Sequence, residues 1–398
     1  MSTYNIRNLF PFKRVKISNF QVNDSGSITV IEIKPDKRFL PICSSCYKPV
    51  KEIHSLNQRF IRDMPMSGSQ VKIRYHYRTI FCPTCGFRVE YHDFIKPHSR
   101  VTNRFGHYIY QLCQLMTVKD VAEHCKLSWH QIRRIDKLEL RRRFSNITLD
   151  RTSILCVDEI SIKKRHRYLT VIADHISGQV LKIIRNRDYT SVSNYLKNIP
   201  LNTRQKIKAV AMDMWDPYIK AFKEYLPHAK IIFDLFHVVS AFGKVIDKIR
   251  SEEFKNADKK LQKYMKRSRF LLLKNPENLS KDEIPRLKQI LKNNELIASA
   301  YILKEYLKRL WQYKYPKSAS KFLEYWCYLA NETNCIHLIK FAKMLKKYCY
   351  GIIDHCKYHI HTGKLEGINN KIKVIKRKAY GFRDIEYFSL KIIQATTN

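Results

Sequence analysis

Five short apolar runs constrain this chain more than any other feature. They are "SILCVD" (153–158), "YLTVIAD" (168–174), "QVLKII" (179–184), "KIKAVAMD" (206–213) and "AKIIFD" (229–234). The first three follow one another with few residues between, so hairpin turns fit their joins, with Ser177-Gly178 marking the second. A helical pattern at about 190–198 separates the third run from the fourth. "PYIKAFKEYL" separates the fourth from the fifth. The resulting order, β-β-β-α-β-α-β, predicts an α/β mixed sheet with helices packed on it.

Four of these runs close on an acid: Asp158, Asp174, Asp213 and Asp234. Asp158 is read as ending the first strand and Asp213 the fourth, which puts both carboxylates at one edge of the sheet. Either could be a turn-capping Asp. Together, beside buried strands, they are costly unless paired, hydrogen-bonded or bound to a cation. Glu159 adjoins Asp158 but points to the opposite face of its strand. A third acid lies far downstream, in "HTGKLEGINNKIKVIKRKAYGF" (361–382), where Glu366 precedes Lys371, Lys373, Lys376, Arg377 and Lys378. A first-turn acid can merely complement the helix dipole. Helical spacing nevertheless sets Asn370, Lys373 and Arg377 on one side with Glu366, a face suited to a phosphate backbone.

Upstream, Cys43-Ser-Ser-Cys46 and Cys82-Pro-Thr-Cys85 form two C-x2-C knuckles, the donor set of one closed tetrahedral structural zinc. His54 and His92 lie nearby and are read as surface residues. Residues 117–137, "TVKDVAEHCKLSWHQIRRIDK", have the shape of a helix-turn-helix. Val118, Val121 and Ala122 make one apolar face, Leu127 is the turn hydrophobe, and Ser128 caps a second helix buried through Ile132 and Ile135. That leaves Trp129, His130, Gln131, Arg133 and Arg134 facing outward, toward a DNA groove and its phosphates. Lys126 occupies the turn position where such motifs favour Gly; a left-handed backbone there costs roughly 1 kcal/mol. Residues 236–355 read as helical, basic and aromatic-rich, with breaks at Pro276, Pro285 and Pro316. Trp311, Tyr301, Tyr306, Tyr313 and Tyr315 sit there; they could stack on an extruded nucleic-acid base, but their helical spacing suits core packing better.

The charge agrees with a polyanionic partner: 75 Lys and Arg against 35 Asp and Glu give a formal +40, spread along the chain. No stretch approaches the roughly 18 apolar residues of a membrane span, so no membrane partner is expected. The N-terminal segment lacks the apolar core of a signal peptide. The expected location is the cytoplasm, associated with the nucleoid, where 11 cysteines serve as thiols and metal ligands.

The chain resembles the DDE transposases of bacterial insertion sequences, most closely the ISL-three group. The stretches that carry the resemblance are "RFIRDMPMSGSQVKIRYHYRTIFCPTCG", "VDEISIKKRHRYLTVIADHISGQVL", "AVAMDMWDPYIKAFKEYLPHAKIIFDLFHVV" and "EGINNKIKVIKRKAYGFRD". The resemblance implies a zinc-binding domain (1–98), a helix-turn-helix DNA-binding domain (99–150) and a ribonuclease H-like catalytic domain (151–398). The last would carry a large helical insertion at about 240–355. It implies Asp158, Asp213 and Glu366 as the catalytic triad, holding two Mg²⁺ (or Mn²⁺) ions, with Asp234 and His237 as further site residues. Asp234 could equally cap the helix that begins at Leu235. The implied activity is binding of the element's terminal inverted repeats, cleavage there, and strand transfer into target DNA, by a homo-oligomer on double-stranded DNA. Lys376 and Arg377, with Asn370 and Lys373, would hold that DNA. The rival expectations are a ribonuclease H-like nuclease without strand transfer and a non-catalytic zinc and helix-turn-helix regulator derived from a transposase.

Overall fold

A computed structural model describes residues 6–163, 167–358, 360 and 363–397. The chain forms two compact units: Met1–Ser145 with Lys378–Gly381, and Asn146–Arg377 with Phe382–Asn398. No helix among the described residues is long and apolar enough to cross a membrane.

The first unit holds a five-stranded sheet of β1 (Val15–Val22), β2 (Ile28–Pro35), β3 (Ile53–Arg62), β4 (Gln70–Cys82) and β5 (Gly86–Val89). The order is β1-β2-β4-β3, and β5 pairs with the end of β4. Alternation decides its buried face: Val71, Ile73 and Tyr75 of β4 pack with Ile31, Ile33 and Ile61 under Phe10 and Phe94. Three helices follow, α1 (Asn103–Leu115), α2 (Val118–Cys125) and α3 (Trp129–Phe144), around Phe105, Ile109, Val121 and Ile132. Capping boxes open α2 (Thr117 with Asp120) and α3 (Ser128 with Gln131). Lys126 does adopt the left-handed conformation, φ 50°. The Arg62 guanidinium donates to the Cys125 and Lys126 carbonyls at 3.2 and 3.3 Å, closing the end of α2 from β3.

One sequence expectation fails here. His54 is exposed, but His92 is buried, 3% accessible, with its Nε2 3.2 Å from Glu90. Glu90 in turn pairs with Arg78, also buried. The Tyr75 and Phe94 rings pack around it, with centroids 5.5 and 5.4 Å away, so an imidazole that looks solvent-directed in sequence is enclosed.

The second unit is built on β6 (Ile154–Lys163), β7 (Arg167–Asp174) and β8 (Val180–Arg185), then α4 (Tyr189–Lys197) and a short α5 (Leu201–Lys206). After these come β9 (Ala209–Met212), α6 (Asp216–Tyr225), β10 (Lys230–Phe233) and α7 (Leu235–Asn256). The sheet order is β10-β9-β6-β7-β8. β6, β7 and β8 pair antiparallel, while β9 and β10 join parallel to β6 and to each other. This is the mixed α/β sheet that the apolar runs predict. Gly178, φ 75°, makes the β7–β8 turn.

Helices then take over: α8 (Lys259–Met265), α9 (Arg269–Leu273), α10 (Glu283–Asn293), α11 (Glu295–Lys308), α12 (Pro316–Glu332), α13 (Ile336–Lys347) and α14 (Cys349–Ile353). They pack with α7 around Phe242, Trp326 and Phe341. The aromatic cluster is mostly core: Tyr301 is buried, and Tyr306 and Tyr313 lie 4.8 and 5.2 Å from Phe322. Tyr315 is the exception, 75% exposed. Pro276 and Pro316 start helical turns, but Pro285 breaks nothing; it sits in the first turn of α10, where its missing N–H has no helical partner to lose. The chain closes with α15 (Gly363–Lys378) and α16 (Ile385–Thr396).

Candidate active site

Strand register assembles the acids. β6 and β9 run parallel with Cys156 opposite Ala211, and β10 runs parallel to β9 with Phe233 opposite Met212. Continuing that register brings Asp158 level with Asp213, and Asp213 level with Asp234. Asp213 and Asp234 each follow the last residue of a four-residue strand. Asp158 does not end its strand, contrary to the sequence reading: β6 continues to Lys163, and Asp158 is paired with Val171 of β7. The pairing with β7 carries β6 past the point where β9 stops. The edge on which Asp158 lies is thus the end of β9, not of β6.

Ligand atoms of Asp158, Asp213 and His237 all lie within 4.8 Å of one another. His237 is on the first turn of α7, and its Nε2 is 2.7 Å from Asp213 Oδ1 and 3.8 Å from Asp234 Oδ2. Asp234 caps α7, with Oδ1 accepting from the Phe236 N–H at 2.8 Å; its other oxygen still faces His237. Asp158 Oδ1 accepts from the Glu159 N–H at 2.7 Å, and Oδ2 accepts from Asn369 Nδ2 at 2.5 Å.

Burial pushes the Asp158 carboxyl up, against the Asn369 hydrogen bond. Burial likewise pushes Asp234 up to about 6. For His237 burial works the other way, but the hydrogen bond to Asp213 and the surrounding carboxylates outweigh it and raise its pKa. A crowded, part-buried set of carboxylates held by a single imidazole lacks positive charge. Its hard oxygen donors fit Mg²⁺ or Mn²⁺ better than a soft ion.

Glu366 is exposed on α15 and stands outside this close group. It precedes by one helical turn the Asn369 that binds Asp158. Asn370, Lys373 and Arg377 are exposed, while Leu365, Ile368 and Ile372 face inward. Lys364 Nζ donates to the Ile176 carbonyl at 2.6 Å, and Lys376 Nζ to Ser161 at 3.4 Å, fixing α15 over the sheet. The sequence reading missed Asn369. Its signal was there: three residues after Glu366 is the same helix face. Glu159 is engaged elsewhere, 2.9 Å from Arg187 Nη1.

In the first unit the four knuckle sulfurs, of Cys43, Cys46, Cys82 and Cys85, lie within 4.8 Å of one another. No disulfide joins them. Tyr47 (φ 60°) and Gly86 (φ 71°) follow the two knuckles in left-handed conformation, and the Ser45 N–H points at Cys43 Sγ, 3.4 Å away. Four converging sulfurs fit a tetrahedral zinc. On α3, Trp129 is 44% exposed, edge-on to His130, with the Arg133 guanidinium 5.6 Å from its ring. His130 and Arg134 are exposed, whereas the Gln131 side-chain oxygen is taken by the capping box.

Comparison with known proteins gives a consistent picture. A family model described as a transposase, DDE type of the ISL3 group, matches residues 155–392. The helix-turn-helix domain of transposase family ISL3 matches residues 90–138. The transposase for insertion sequence element IS1001 of Bordetella parapertussis is 36% identical over 373 residues, covering 93% of this chain and 92% of that protein. The transposase for insertion sequence element IS1557 of Mycobacterium tuberculosis (strain CDC 1551 / Oshkosh) is 23% identical over 396 residues, 92% of this chain and 88% of that one.

Proposed function

Because this chain belongs to the ISL3 family of insertion-sequence transposases, we propose that it binds the terminal inverted repeats of its own element, cleaves there and joins the freed ends to target DNA. The observation that carries the reading is the in-register row of Asp158, Asp213 and Asp234 with His237 against it. In this reading residues 151–398 do the chemistry, with an insertion at about 240–355. Residues 1–98 bind zinc and 99–150 grip DNA. Asp158, Asp213 and Glu366 are the metal-binding carboxylates. Two hard divalent cations held there would activate the attacking oxygen and stabilise the leaving one.

The chain's own groups do the rest. Asn369 fixes the Asp158 carboxylate through Oδ2. His237 Nε2, held beside Asp213, offers a proton and positive charge to the scissile phosphate. Asn370, Lys373, Lys376 and Arg377 guide the backbone along α15, and Trp129, His130, Gln131, Arg133 and Arg134 meet a groove through α3. The active form is a homo-oligomer on double-stranded DNA, acting at the nucleoid in the cytoplasm.

The test is Asp213→Asn, which keeps shape and hydrogen-bonding capacity but removes a charge. Cleavage and strand transfer of DNA bearing the element's ends should fall to background with Mg²⁺, while binding of those ends persists. Cutting at the wild-type rate would refute the assignment. A wild type that binds the ends and never cuts would replace it with the non-catalytic regulator.

A further inference from the structure

The first unit contains an open cleft of about 520 Å³ lined by Arg59, Phe60, His98 and Arg100. It shares His98 and Arg100 with a second cleft of about 530 Å³, which continues to His130 and Arg134 on α3. The two make one groove from the sheet to the second helix of the helix-turn-helix. Its charge is uncompensated. Arg59, His98, Arg100 and Arg134 form no ion pair and donate no side-chain hydrogen bond among the described residues. Glu139, the carboxylate at the far end, is already paired with Lys96 and Arg142.

The groove is also built rather than incidental. Arg59 is half-buried, its guanidinium 5.6 and 5.3 Å from the Tyr75 and Tyr77 rings, and its Nε is enclosed without a partner. Rings behind a guanidinium fix its direction and leave its donors facing the cleft. The opposite wall is pinned to the same strand: the Arg62 N–H donates to the Arg100 carbonyl at 2.9 Å, and Thr102 N–H to the Arg62 carbonyl at 3.0 Å. His98 holds a left-handed backbone, φ 59°, at the turn of this segment. Aligned guanidinium forks without carboxylates match phosphate oxygens.

We propose that Arg59, His98 and Arg100 form a phosphate clamp, outside the helix-turn-helix, that seats the sugar–phosphate backbone of duplex DNA lying against α3. The proposal rests on the DNA-binding reading above and adds the residues that position the duplex. Continuity with His130 and Arg134 favours DNA over a free anion or an acidic peptide. A backbone contact of this kind strengthens binding on every sequence and leaves discrimination between sequences unchanged.

The experiment uses full-length, zinc-loaded protein and two duplexes, one carrying the element's terminal repeat and one with that sequence scrambled. Binding is followed by anisotropy across a salt series. Arg59→Ala with Arg100→Ala should weaken both duplexes by about tenfold or more and lower the slope of log K against log salt by about 2. The ratio between the duplexes should not move. Arg59→Lys with Arg100→Lys should recover the slope, which a folding defect would not. A wild-type slope and affinity in the alanine variant, or a loss confined to the terminal-repeat duplex, overturns the clamp alone. Wild type that binds neither duplex removes the functional reading and the clamp with it.

Discussion

Asp158 accepts two hydrogen bonds, and the more consequential one comes from a helix 211 residues away in sequence. Asn369 Nδ2 meets Oδ2 directly, and its own Oδ1 is enclosed without a partner. The amide therefore has no strong competing attachment and acts as a positioning residue: it aims a carboxylate whose burial already disfavours its charge. Removing a partner of this kind typically costs 10–100-fold in metal affinity or activity. For Asn369→Ala the expected result is a fall in cleavage within about that range, with half-maximal Mg²⁺ moved upward and binding of the element's ends unchanged. Cleavage rates and Mg²⁺ titration at wild-type values would show that the contact does nothing for the site. The sequence made Asp158, Asp213 and Glu366 stand out as candidates because acids contrast with apolar runs and a basic helix. Asn369 carried no such contrast.

At the scale of elements, the helical segment comes back to the sheet through a glycine. Gly351 of α14 lies so close to β10 that an added Cβ would sit 2.5 Å from Phe233 Cδ2 and 2.9 Å from the Ile231 carbonyl oxygen. A backbone oxygen held in a strand cannot turn aside as a flexible side chain can. Phe233 immediately precedes Asp234, so the strain falls on the edge of the acid row. Gly351→Ala should cost about 1–3 kcal/mol, lower the melting temperature by several degrees, and slow cleavage as β10 shifts. Unchanged melting and cleavage would mean that α14 can move aside freely. Local pattern was a weaker guide where long-range contacts intervened. Lys126 looks wrong for a left-handed turn, a cost of roughly 1 kcal/mol, yet Arg62 reaches from β3 to close that helix end. His92 looks like a surface imidazole and is buried beside Glu90.

For the whole molecule, the two compact units have separate cores, and the knuckle cysteines belong to the first. Cys43 and Cys82 form a small apolar cluster with Val50 and Ile80, with Cys46 and Cys85 packed against it. Such a small cluster has little apolar area of its own, so a bound metal would contribute much of its stability. Full-length protein with Cys82→Ser and Cys85→Ser should lose one zinc per chain and melt early in the first unit, while the second unit keeps its transition. End binding should fall with the first unit. Equal zinc in variant and wild type, measured by elemental analysis, would sink the metal assignment. By itself the sequence determined the order along the chain of the five strands in the second unit's sheet, the C-x2-C pairs, and Asp158 and Asp213 as acids beside buried strands, because alternation, capping and spacing act over a few residues. Only the tertiary structure decided that β6 runs on past Asp158, that Asp234 joins the row, that Asn369 reaches Asp158, and that Arg59 and Arg100 line one cleft. Those are pairings between distant segments. They are set by strand register and by which helix covers which sheet, and the energy that selects them comes from packing the whole core at once.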